Sequence, residues 1–402
     1  MALTKVTGGL LGNLPTGTNN VAVGDTALDS IESGAQYNVA IGSAAGTALT
    51  TANNNTAVGY LSLSANTTGT YNTAIGSNAG AANTTASFNI AVGALTLNAN
   101  TTGTENVAMG VNTLDANTTG SNNVGLGTAV LSANTTASNN TGVGHNALAA
   151  NTTGTENTAV GRKALLANTT GNSNTAVGLN SQILVVSGSN NTSLGVESLR
   201  NNTASNNTAV GMNALRVNTT GTQNTAVGKD ALIGNTQGIY NTAIGFSSLS
   251  STTTGSYNIG LGRNAQSTSA TASNQCTLGD TNITNLRCND TSLSSLSDSR
   301  DKTEVIDSPY GLDFINTVRP VQFLWDTRDG NAKDGSTRIG FLAQELLVAT
   351  DGNNAVLDLV MDDNPDKLEA KYGNLLPIAI KAIQELSEQN AALTARIETL
   401  EG

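Results

Sequence analysis

Ser297 and Lys302, five residues apart, are of the types needed for a nucleophile and its general base. A serine hydroxyl attacks a carbonyl only when a neighbouring group takes its proton, and a lysine can take it only when burial has made the amine neutral. Asp298 and Asp301 beside the pair oppose that neutrality unless they point away, and Arg300 either positions the loop or is a surface arginine. A polar linker would hold the same residue types, so the meaning of the pair depends on what surrounds it. It stands in the stretch Leu296-Ser297-Asp298-Ser299-Arg300-Asp301-Lys302, where the chain changes character. Residues 1–296 carry 10 acidic and 8 basic residues, whereas 297–402 carry 19 and 10.

The charge balance excludes several classes. The first part has a net charge of −2 and the second −9, so neither presents the basic surface of a nucleic-acid binder. His145 is the single histidine, which leaves no metal-ligand cluster and no sign of a cofactor. Cys276 and Cys288 could form a disulfide or remain free thiols. The opening Met1-Ala2-Leu3-Thr4-Lys5-Val6-Thr7 lacks the apolar run of a secretory signal, and no window is apolar enough to span a membrane. Export by a signal peptide and membrane insertion are therefore not expected.

Ahead of the seam the chain is a repeat. A glycine closing an Asn-x-x-x-Gly unit recurs fifteen times from Gly24 to Gly262, with a degenerate sixteenth copy at Leu278-Gly279. The step is 17 residues, apart from one of 18 into Gly42 and one of 16 into Gly211. The unit reads Asn-Thr-Ala-Val-Gly-x-x-Ala-Leu-x-Ala-Asn-Thr-Thr-Gly-x-x, and a period in this range specifies a solenoid. Its Thr, Val, Asn and Gly content predicts two short strands and two turns per coil, with Asn-Thr-Thr-Gly as turn chemistry. Coils stacked at about 4.8 Å make a rod of about 70 Å. The residue before each glycine is apolar and the one before that is small, so one fills the interior while the other lies on the opposite face. That second face, small and uncharged, predicts cover by neighbouring copies of the chain. The recurring Asn20 to Asn258 predicts an amide ladder from coil to coil. The pattern resembles the head repeats of trimeric bacterial adhesins, in which short Asn-x-Ala-Ile-Gly-like units form a trimeric β-roll.

An active site within the rod is not expected. Glycan cleavage needs two placed carboxylates, yet the repeats hold eight acidic residues in differing positions of the unit. Glu105 and Glu156 share a position but stand three coils apart, about 14 Å. Aromatic residues are too few for a sugar-stacking platform, His145 reads as a surface residue, and the Asn-x-Thr triplets read as turns instead of glycosylation acceptors.

After the seam the pattern is mixed. Val321–Trp325 predicts a strand, Asp326–Thr337 a charged loop, and Ile339–Leu347 a turn into a helix. Ile383, Leu386, Asn390, Leu393, Ile397 and Leu400 form a heptad seam, which serves either a coiled coil or a single helix lying on its own domain. Ile at a, Leu at d and Asn390 at a lean towards two strands.

Four motifs then stand in order: Ser297-Asp298-x-Arg300-x-Lys302, Arg319-Pro320-Val321-x-Phe323, Gly340-Phe341-Leu342-Ala343-Gln344-Glu345, and Tyr372-x-x-Leu375-Leu376-Pro377 running into Lys381–Leu386. Together they resemble the intramolecular chaperone domain of endosialidase-type phage tailspikes. The resemblance implies a trimeric domain that registers the fibre ahead of it and releases itself, with Ser297 as nucleophile, Lys302 as base and the cut between Leu296 and Ser297. The expected fold is an all-β solenoid of 17-residue coils, a trimeric β-roll, followed by a small α+β domain with a C-terminal coiled-coil helix. Its divisions are a lead-in at 1–19, the shaft at 20–280, a linker at 281–296 and the chaperone domain at 297–402. The expected function is a homotrimeric tail fibre or tailspike shaft on a virion, assembled in the host cytoplasm. Its N-terminus would meet baseplate or tail proteins and the rod a host surface receptor. Its chemistry would be one self-cleavage per chain, with no external substrate. The alternative is a cell-surface trimeric adhesin that retains the domain as a cap; a glycan-cleaving enzyme is the third and weakest reading.

Overall fold

A computed structural model describes residues 19–283, 286–287, 297–326, 333–366 and 368–402. Leu296, Cys288 and the lead-in before residue 19 lie outside the described residues. The chain divides into a unit ending at Gly279 and a second beginning at Asp280.

The first unit is a β-solenoid. One strand per coil, from β1 (Val21–Val23) to β16 (Cys276–Leu278), stacks in chain order into a parallel sheet of sixteen strands. Register is strict: in successive coils Thr56 pairs with Thr73, Ala57 with Ala74 and Val58 with Ile75. The expected second strand does not form. Its place is taken by left-handed residues that bend the backbone every second position, as at Gly127 (φ 133°), Ala129 (φ 51°) and Leu131 (φ 51°). A leucine held left-handed costs about 1–2 kcal/mol, which the burial of its side chain, worth about 1.5–3 kcal/mol, offsets. Leu131 and its equivalents are indeed fully buried. The non-strand backbone still bonds from coil to coil, as in Leu131 N–H to Ala147 O (3.1 Å) and Ala133 N–H to Ala149 O (3.0 Å).

The two faces of the strand are also the reverse of a simple filling argument. The small middle residue points inward, with Ala40, Ala57, Ala74 and their equivalents buried. The larger apolar residue before the glycine points outward, so Ile41, Ile75, Met109, Leu194 and Ile244 are exposed. The reason is volume: the left-handed leucine from the opposite side already fills the narrow coil, leaving room for a methyl group only. Each glycine after the strand sits where a Cβ would strike the next coil's backbone; at Gly76 it would meet Gly93.

The asparagine ladder is present, and it is double. Asn123 Oδ1 accepts from the Asn140 N–H (3.0 Å), while Asn123 Nδ2 donates to Ala137 O (2.9 Å). The asparagine of the Asn-Thr-Thr-Gly turn forms a second ladder, with Asn134 Nδ2 donating to Asn117 Oδ1 (2.8 Å). Buried amides that satisfy each other in this way add directionality to an otherwise greasy stack.

One site interrupts the interior. Gln182 takes the place of the left-handed leucine and Ser193 that of the inward alanine, and both are buried. Gln182 Nε2 donates to Ser193 Oγ (2.8 Å) and to Thr175 O (2.9 Å), and Ser193 Oγ lies 2.5 Å from Ser181 Oγ. The Gln182 Oε1 is buried without a partner. The apolar interior divides at this point, one cluster ending at Val185 and the next starting at Leu199.

The second unit contains α1 (Leu312–Ile315), the antiparallel pair β17 (Val321–Asp326) and β18 (Lys333–Gly340), α2 (Ala343–Ala349), α3 (Asn354–Leu357), the pair β19 (Val360–Met361) and β20 (Glu369–Ala370), and α4 (Leu375–Glu401). The stretch expected as a charged loop thus ends in a strand, because pairing with β17 overrides its low strand propensity. Leu346, Leu357, Leu359, Val360, Leu375 and Ile378 form the core.

The polar interruption gives a direct test. Gln182→Leu together with Ser193→Ala restores the apolar pattern and removes a buried unpartnered oxygen, so it is expected to stabilise the shaft by about 1–2 kcal/mol. A raised midpoint in thermal unfolding checks this, and a lowered one would show that the network is net stabilising.

Candidate active site

Asp298 opens a 3₁₀ turn over Ser299–Asp301, and this turn returns the chain on itself between Ser297 and Lys302. Asp298 Oδ1 accepts the Arg300 N–H (2.9 Å), the Asp301 N–H reaches Asp298 O (3.2 Å), and the Lys302 N–H reaches Ser299 O (3.3 Å). The closure brings the Lys302 ammonium against Ser297 Oγ, to which it donates a hydrogen bond. Arg300 turns back on Asp298, with Nε 3.0 Å from Oδ1 and Nη2 2.5 Å from Oδ2. This guanidinium, and then the Arg300 N–H, hold the Asp298 carboxyl below the usual carboxylate range. Ser297 and Lys302 are both exposed in the single chain.

The remaining motif residues hold the small domain together. Arg319 forks onto Glu345 of α2, with Nε 3.1 Å from Oε2, tying the start of β17 to the helix. Tyr372 packs edge-on against Phe341 with ring centroids 5.4 Å apart, and its hydroxyl accepts the Phe341 N–H (3.3 Å). Gly340 is required beside this pair, because a Cβ there would stand 2.8 Å from the Tyr372 hydroxyl. These residues marked a resemblance in the sequence; in the fold they fasten the β17–β18 hairpin to the elements after it.

Residues 297–356 match the family model described as chaperone of endosialidase. The chain carries a chaperone-of-endosialidase domain. No curated protein and no solved structure is matched by the chain. A repeat solenoid followed by this chaperone domain fits a fibre-like or tailspike-like protein.

The match opens on Ser297, the first residue of the candidate pair, and ends within α3. Beyond it, α4 has two separate faces. Leu375, Ile378 and Ala382 are buried, the first two in the domain's core. The heptad seam is left open, with Ile383 65% and Leu400 82% exposed. Glu385 belongs to neither face: its carboxylate accepts the Leu312 N–H at the start of α1 (2.7 Å), across 73 residues of sequence. The sequence offered no signal for this contact. Gly311 leaves the space for it, since a Cβ there would meet the Glu385 carboxylate. His145, Glu105 and Glu156 are exposed on the solenoid, and Glu156 accepts from Ser173 (3.1 Å). Cys276 is a free, exposed thiol on β16.

Glu385→Ala leaves the α1 amide without its acceptor and is expected to cost the chaperone domain about 1–2 kcal/mol. Glu385→Gln, which keeps an oxygen in place, should recover part of it; denaturant titration of both variants checks the order.

Proposed function

We propose that the chain is the shaft of a trimeric phage tail fibre or tailspike, and that its C-terminal domain assembles three chains and then releases itself by cutting at Leu296–Ser297. The observation that carries this reading is the outward apolar row of the solenoid. No residue of β1–β16 is charged, and the row of Ile, Val, Leu and Met runs the full length of the sheet, partly exposed throughout and reaching 43% at Met109 and 49% at Leu194 in a single chain. Such a row needs cover, and the cover with matching length and chemistry is the same row of another copy. The open seam of α4 supports association through the chaperone domain as well.

Assembly order follows from the repeat. Coils this similar could pair between chains one step out of register at little cost, and such long-range pairing is slow. A C-terminal domain that associates first raises the local concentration of the shafts and fixes their starting register. Cleavage afterwards removes the route back and leaves the rod kinetically stable. The fibre would sit on the virion after assembly in the host cytoplasm, its N-terminus against tail or baseplate proteins and its shaft towards a host surface receptor.

For the cut, neutral Lys302 takes the Ser297 hydroxyl proton as Oγ attacks the carbonyl carbon of residue 296. The carbonyl–nitrogen bond breaks as Lys302 returns that proton to the Ser297 nitrogen, leaving an ester on Oγ and a free amine. Water then hydrolyses the ester to a carboxylate at residue 296 and restores the serine hydroxyl. Burial of Lys302 by partner chains would favour the neutral amine, which couples cleavage to assembly.

Intact-mass measurement of the purified chain beside Ser297→Ala and Lys302→Ala tests the reading. A wild-type fragment beginning at Ser297 and missing from both variants is expected. One uncut mass in all three would remove the cleavage and leave the domain as a retained cap, as in the adhesin reading.

A further inference from the structure

Lys302 reaches past a carboxylate to a hydroxyl. Asp298 and Lys302 flank one short 3₁₀ turn, Asp298 as its N-cap and Lys302 as its C-cap, so the carboxylate belongs to the same tight segment as the lysine. A carboxylate accepts from an ammonium more strongly than a serine hydroxyl does. Yet among the described residues Lys302 makes no ion pair, and its ammonium goes to Ser297 Oγ. Both Asp298 oxygens are engaged elsewhere: Oδ1 by the Arg300 N–H (2.9 Å) and Nε (3.0 Å), Oδ2 by Nε (3.1 Å) and Nη2 (2.5 Å). The charged side chains nearest Lys302 in sequence are Asp298, Arg300, Asp301 and Glu304 of its own segment, and among the described residues no other element gives it a hydrogen-bond partner.

We infer that Asp298 and Arg300 are a positioning pair for the self-cleavage: the Asp298 carboxylate caps the turn that carries Lys302 to Ser297, and the Arg300 fork keeps that carboxylate from capturing the lysine. The inference rests on the cleavage reading above. The pair touches neither the bond that breaks nor the proton that moves. Arg300 would thus set which acceptor Lys302 meets, and Asp298 would be needed for its cap but harmful without its partner.

Removing only the arginine should therefore be worse than removing both charges. In Arg300→Gln the freed carboxylate favours the charged lysine, so a higher pH is needed to neutralise it. In Asp298→Asn/Arg300→Gln the asparagine keeps the cap and the carboxylate at position 298 is gone, while Asp301 and Glu304 are unchanged from wild type. The experiment follows freshly synthesised full-length chains by intact mass over time, in buffers from neutral to alkaline. Arg300→Gln is expected to cut about 3–10-fold more slowly than wild type at neutral pH, a shift of roughly half to one pH unit, and to recover in alkali. The double variant is expected within about twofold of wild type throughout, which also shows that the segment folds without the ion pair. Wild-type kinetics in Arg300→Gln at every pH, or a double variant as slow as the single, overturns the positioning pair while the cleavage stands. A wild-type chain that stays whole removes the cleavage reading, and the pair's role with it.

Discussion

The structure depends on coil-to-coil pairing in strict register. Each strand is three residues long, too short to be stable alone, so a coil is held by what it shares with the coils on either side. Backbone bonds and a buried apolar interior supply part of that hold, and two ladders of buried asparagine amides add to it. In the first ladder each amide oxygen takes a backbone N–H of the next coil and each amide nitrogen a backbone carbonyl, and in the second the amides bond to one another. The sequence recurs closely at those positions, as it does at the strand-closing glycine and the left-handed leucine.

The same constraint generates the surface. A coil of 17 residues with a leucine driven inward has space for one methyl group on the strand side. Alternation then sends the valine or isoleucine outward, and sixteen repetitions turn a local packing necessity into a continuous apolar row. That row is a liability in isolation, and under the proposed function it is the face that other copies cover. A chain with this surface has reason to carry a domain that governs when and with whom it associates. The chaperone domain follows the solenoid, with its α4 seam open and its candidate serine–lysine pair at the boundary.

Much of this was legible in the sequence, and the failures have physical causes. The period and the Asn20-to-Asn258 ladder were legible because each coil buries the same amide against the same backbone groups of the next coil. Which strand face lies inside was not, since alternation fixes opposition but not direction, and the deciding residue is a leucine in a backbone conformation leucine rarely adopts. The missing second strand has the same origin. The strand at Val321 was legible from its own residues, whereas its partner, Lys333–Gly340, is specified by pairing alone. The approach of Lys302 to Ser297 was legible as a spacing, while the Arg300 fork on Asp298 needed coordinates. The Glu385 cap on α1 joins residues too distant for any local pattern to register.

The central claim is that the outward row and the α4 seam are covered by copies of the same chain. The most direct measurement is the native mass of full-length Ser297→Ala, which cannot complete the proposed cut and so keeps shaft and chaperone together. The account predicts a species of three chain masses that persists on dilution. A single-chain mass would contradict it, because the apolar row would then face water unaided.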